Sequence, residues 1–89
     1  MNFDKHYSTY EKNSLSQKQV AKHLLAYMED ADILKRDINS IFEIGCGTGI
    51  FTREYRKFFP NSSLILNDIF DVKSFIKDID YNIFIKENI

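Results

Sequence analysis

The stretch Ile41-Phe42-Glu43-Ile44-Gly45-Cys46-Gly47-Thr48-Gly49-Ile50 limits the possible folds more than any other part of the chain, because an apolar strand pattern, a glycine-dense turn and a helix start coincide in it. Ile41, Phe42 and Ile44 favour β structure; a run broken only by Glu43 and closed by glycine reads as a buried parallel strand. Gly45, Gly47 and Gly49 remove three Cβ atoms within five positions, which permits positive φ angles and close approach of a ligand to the backbone. Thr48 and Gly49 occupy N-cap positions for a helix over residues 50–59, which places unpaired backbone N–H groups beside the loop.

A strand, glycine loop and helix in this order form the nucleotide-binding turn of a doubly wound α/β fold, with the ligand at the carboxyl end of the strand. A dinucleotide fingerprint requires Gly-x-Gly-x-x-Gly; here Ile50 takes the third glycine position and the pattern is Gly-x-Gly-x-Gly, which leans away from NAD. Residues 42–49, Phe-Glu-Ile-Gly-Cys-Gly-Thr-Gly, resemble the first motif of the seven-strand S-adenosylmethionine-dependent methyltransferases. The resemblance implies that Glu43 lies near the methionine part of the cofactor and that Gly45, Cys46, Gly47 and Gly49 form the loop beneath it.

The rest of the chain is placed around this unit. Residues 1–13 are polar with scattered aromatics and read as an irregular arm or a short helix. Ser14 with Gln17, or Ser16 with Gln19, has capping-box spacing, and Val20, Leu24, Tyr27, Met28 and Ala31 recur at helical intervals, so a helix is expected over residues 16–29. After the glycine loop, Phe51, Tyr55, Phe58 and Phe59 make an apolar helix face that Pro60 ends. Leu64-Ile65-Leu66 is a second strand, parallel to the first and ending in Asn67 and Asp68. Asp71 is expected to cap a short helix with Val72, Phe75, Ile76 and Ile79 on one face, before a third strand at Ile83-Phe84-Ile85. The expected fold class is α/β: a Rossmann-like parallel sheet, an N-terminal helix followed by βαβαβ, incomplete relative to the seven-strand fold. Residues 1–40 form the arm and helix, and residues 41–89 the first half of the cofactor domain.

The 89 residues fall below the usual domain size of about 100–150 but above the roughly 40 at which covalent or metal staples become necessary, so one small core is expected. Eight Phe and five Tyr argue against disorder. Twelve basic and thirteen acidic side chains leave a net charge of −1, too weak a field to favour nucleic acid or an anionic membrane as partner. Cys46 is the single cysteine, so no internal disulfide forms, and the absence of a secretory or bilayer-spanning run makes a cytoplasmic location the default. His6 and His23 lack ligand spacing with Cys, Asp or Glu, and no metal site is expected.

Asp68 lies 19 positions after Gly49, close to the roughly 20-residue spacing of an acidic group that accepts hydrogen bonds from ribose hydroxyls; the alternative is a plain cap for the following turn. Glu43, in an apolar strand, requires a cationic or hydrogen-bonding partner, either the amino group of a ligand or a nearby Lys or Arg. Cys46 reads as small apolar filler between glycines rather than as a reactive thiol. Phe3, Tyr10 and Gln17 fall in an order that resembles the start of the biotin-pathway branch of the family, where this region packs over the cofactor. The resemblance thereby assigns Tyr10, Gln17 and Ile69 to the cofactor site, and aligns Asn88, or Glu87 one position earlier, with the acidic residue that meets the adenine amino group. It implies methyl transfer from S-adenosylmethionine, leaving S-adenosylhomocysteine, to the malonyl carboxylate on an acyl carrier protein. No catalytic residue is assigned, because the strands that carry acceptor recognition in the family have no counterpart here. A non-catalytic cofactor-binding module and a methyltransferase for another acceptor are the alternatives, and an unpaired sheet edge is expected to invite self-association.

Overall fold

The computed structural model describes the backbone of residues 3–89 and the side chains of residues 16–89. Helix α1 spans Phe3–Asp30 without interruption. This corrects the expected division into an irregular arm or short helix over residues 1–13 and a separate helix over residues 16–29: the segment contains no glycine or proline, and helix propagates readily once a turn exists. Its core-facing stripe is also displaced. Ala21 is buried, and Leu25 and Met28 pack on the core, whereas Val20, Leu24 and Tyr27, one position round the helix, are exposed. Two adjacent stripes share the same helical spacing, and the sequence pattern alone does not rank them. Beyond α1 the chain reverses at Asp32, with φ 60°, into a 3-10 turn at Ile33–Lys35.

Strands β1 (Ser40–Glu43), β2 (Ser63–Asp68) and β3 (Ile83–Lys86) form a parallel sheet in the order β1-β2-β3, the partial Rossmann-like arrangement expected. Helix α2, Ile50–Arg56, joins β1 to β2. It is shorter than the expected helix over residues 50–59: the N–H groups of Phe58 and Phe59 bond to the carbonyls three residues back, tightening the chain ahead of Pro60. Tyr55 and Phe59 are consequently buried while Phe58 is turned out. The short helix expected before β3 is instead a 3-10 turn, Lys73–Phe75, with Asp71 Oδ1 accepting the Lys73 N–H at 3.2 Å. Val72, Ile76 and Ile79 still reach the core but Phe75 does not, since so short a segment gains its position from packing rather than from helix propagation.

The core lies between one sheet face and the helices: Leu64, Leu66 and Ile76 are wholly buried, joined by Tyr55, Phe59, Val72, Ile79 and Cys46. On the opposite face the register aligns Phe42, Ile65 and Ile83 in one row, whose outer members are about half exposed, Phe42 at 50% and Ile83 at 52%. No described helix is long and apolar enough to cross a membrane.

Candidate cofactor site

Parallel pairing brings the carboxyl ends of β1 and β2 together, with Glu43 opposite Leu66. Beyond β1 the glycine loop stays attached to β2. Cys46 N–H donates to the Asn67 carbonyl at 2.8 Å, and Gly47 N–H donates to Asp68 Oδ2 at 2.8 Å. The other carboxylate oxygen, Asp68 Oδ1, accepts the Phe70 N–H at 3.0 Å. The turn-capping role weighed for Asp68 is therefore present, together with a second bond to the loop. Asn67 extends the lattice: its Oδ1 lies 3.4 Å from Gly45 N, and its Nδ2 donates to the carbonyls of Ile85 and Glu87 at 3.0 and 2.9 Å.

The glycines serve two different ends. At Gly49, with φ 82°, a Cβ would strike Ile79 Cδ1, so this position permits close packing of the helix start on the core. Gly45 and Gly47 also have positive φ, but a Cβ on either would meet nothing within 4 Å, so their backbones border open space. Arg53 braces the end of the loop, donating from Nη1 to the Thr48 carbonyl and from Nη2 to the Phe75 carbonyl, each at 2.7 Å, and forming a two-point pair with Asp78.

Glu43 points from β1 toward α2, where Thr52 Oγ1 and Tyr55 Oη both donate to its Oε1 at 2.6 Å. None of the ion pairs among the described residues includes Glu43, so the Lys or Arg weighed as its partner is not found, and a pair of hydroxyls bonds the carboxylate instead. Burial raises its pKa, and the two hydroxyls partly offset that rise. Burial, followed by the hydrogen bond and charge of Glu43, drives the Tyr55 phenol well above its ordinary value. The buried Cys46 thiol is pushed up to about 11, first by burial and then by the negative charges of Glu43 and Asp68. It is packing material, as its place between glycines suggests.

A cavity of about 510 Å³ lies over the loop. Glu43, Gly45, Cys46 and Gly47 line one side of it and Gln17, Val20, Ala21 and Leu24 of α1 the other. Four of the residues assigned from the sequence thus meet around one space with Gln17. Gly49 and Asp68 are buried and are not among the residues that line it, Asp68 reaching the loop through Gly47 N–H, and Ile69, next in the chain, is exposed. Asn88 is exposed past β3, and Glu87 contributes backbone groups to Asn67 and Asp68. The side chain of Tyr10 lies outside the described residues, as do those of Phe3 and His6. Thr52, Tyr55, Asn67 and Arg53 were not assigned to the site from the sequence, where Tyr55 reads only as part of an apolar helix face and Asn67 only as a strand end. For Thr52 and Tyr55 a signal existed: two hydroxyl groups three residues apart lie on one face of a helix, beside a carboxylate that requires donors.

A curated malonyl-[acyl-carrier protein] O-methyltransferase of Ilyobacter polytropus is 37% identical to the chain over 89 residues, covering 99% of the chain and 32% of the relative. The corresponding protein of Calditerrivibrio nitroreducens is 36% identical over 80 residues, 90% of the chain and 32% of the relative. The chain resembles the malonyl-[acyl-carrier protein] O-methyltransferases. A third such protein, from Brevibacillus brevis, is 47% identical over 51 residues, 57% of the chain and 18% of the relative. The chain spans about a third of the length of the first two methyltransferases. No protein-family model and no solved structure matches it.

Proposed function

We propose that the chain forms the cofactor half-site of an S-adenosylmethionine-dependent methyltransferase whose acceptor is the malonyl carboxylate of an acyl carrier protein. The observation that carries this reading is the cavity over the glycine loop: Gly45 and Gly47 bare their backbones to open space, and Glu43 and Gln17 face it from opposite sides, in a chain that resembles enzymes so named. These residues suit a cofactor that is cationic at its amino-acid end and carries ribose hydroxyls. Glu43 would hold the amino group, the loop from Gly45 to Gly47 would lie beneath the cofactor, and Asp68, whose oxygens each retain acceptor capacity, would take the ribose. Gln17 of α1 would close the cavity from above, with Ile69 and Asn88 toward the base.

When bound, S-adenosylmethionine supplies a sulfonium-activated methyl group. A carboxylate acceptor is already an anion at neutral pH, so no side chain of this chain has to remove a proton, and its contribution is to orient and to exclude water. Val20, Ala21, Leu24, Ile50 and Phe51 give the cavity an apolar lining suited to that exclusion.

Incubation of an active longer form that contains this half-site with methyl-labelled S-adenosylmethionine and malonyl-acyl carrier protein tests the reading. Label is expected in an alkali-labile ester on the malonyl group. Label passed to a different acceptor, with the malonyl group untouched, would overturn the assignment of substrate.

A further inference from the structure

The two hydroxyl donors that converge on Glu43 act on the same atom. Thr52 Oγ1 and Tyr55 Oη both bond to Oε1 at 2.6 Å, while Oε2 accepts no hydrogen bond from any described residue. No buried side-chain oxygen or nitrogen among the described residues lacks a partner, so Oε2 is not sealed in protein, and Glu43 lines the cavity. Thr52 is fully buried and Tyr55 is 3% exposed, so neither hydroxyl has bulk water as a ready alternative partner. A further ring contact holds Tyr55 in place: the Phe51 and Tyr55 rings meet edge to face, with centroids 5.1 Å apart.

We propose that Thr52 and Tyr55 are positioning residues that fix one oxygen of Glu43 and leave the other as a dedicated acceptor for the cationic amino group of the cofactor's amino-acid end. This rests on the cofactor reading above. A carboxylate free to rotate would divide its acceptor capacity among solvent and neighbours. Doubly bonded through Oε1, it presents Oε2 to the cavity in a set direction, and the cost of ordering the side chain is met before the ligand arrives.

The test separates the amino-acid end of the ligand from the rest. Titration calorimetry is carried out with S-adenosylhomocysteine and with methylthioadenosine, which keeps the adenosine thioether but lacks the amino-acid group, on the wild-type chain and on Tyr55→Phe, Thr52→Val and Thr52→Ser. Tyr55→Phe and Thr52→Val are each expected to weaken S-adenosylhomocysteine about tenfold, the scale of one hydrogen bond to a charged group, and to leave methylthioadenosine within about twofold. Thr52→Ser, which keeps the donor, is expected to restore wild-type affinity. Equal weakening of both ligands, or a Thr52→Ser chain as weak as Thr52→Val, would overturn the positioning role and assign both residues to packing alone. Failure of the folded wild-type chain to bind either ligand would instead overturn the cofactor reading and the proposal with it.

Discussion

Asp68 accepts the backbone N–H of Gly47 across the top of the sheet at 2.8 Å, so the glycine loop after β1 is held by the residue that ends β2. The same carboxylate caps the following turn through Phe70. Asp68→Ala leaves two backbone N–H groups without acceptors and is expected to cost about 2 kcal/mol of stability in urea unfolding. Asp68→Asn keeps one acceptor oxygen and should cost less; a loss equal to that of Asp68→Ala would contradict this account, because the retained oxygen would then contribute nothing.

The glycines should not respond alike to alanine. At Gly49 the added Cβ meets Ile79 Cδ1 and Ile76 Cγ2 in addition to the strain of a positive φ, whereas at Gly47 only the strain applies. Gly49→Ala is expected to destabilise by about 3 kcal/mol and Gly47→Ala by about 1 kcal/mol, measured by chemical denaturation. The reverse order would contradict the close packing of the α2 start on Ile79.

Cys46 should be chemically silent in the folded chain. With its thiol pushed up to about 11 and its side chain buried, little thiolate exists near neutral pH. Iodoacetamide is expected to label the denatured chain readily and the native chain only at the rate of unfolding, as followed by intact mass. Rapid native labelling would contradict the filler role.

Burial lifts the Glu43 pKa above its ordinary 4.5, so the folded chain retains this proton to higher pH than the unfolded chain. The stability owed to this group is full below the unfolded pKa and is lost as pH rises through the folded value. The stability of wild type minus that of Glu43→Gln is therefore expected to fall over the interval in which pH rises from the ordinary 4.5 through the raised folded value. Asp78, held down at about 2 by Arg53, acts in the opposite sense but is common to both chains and cancels in the difference. A difference that rises over this interval would contradict the burial of an ionisable Glu43.

The strand, loop and helix at residues 41–56 were legible in the sequence because three glycines, an apolar run and a helix start act locally and agree with one another. Parallel pairing followed from the strand–helix–strand order. The face of α1 was not legible: Val20, Leu24 and Tyr27 recur as regularly as Ala21, Leu25 and Met28, and only the position of the sheet decides between them. The early start of α1 was missed because its first turns lack an apolar stripe, while nothing in them breaks a helix. For Glu43 the requirement for a partner was readable from the cost of burying a carboxylate. Its partners lie nine and twelve residues away on α2 and emerge only once that helix is laid on the sheet. Asn67 was hidden for a related reason, since its amide bridges the glycine loop and the end of β3, and that separation closes only in the folded sheet.

Calorimetric titration of the folded, monodisperse chain with S-adenosylhomocysteine, and in parallel with NADH, tests the cofactor half-site most directly. Saturable binding of S-adenosylhomocysteine, with none of NADH, is the expected result. Binding of NADH without S-adenosylhomocysteine, or of neither by a folded chain, would contradict the assignment of the cavity over Gly45 and Gly47 to this cofactor.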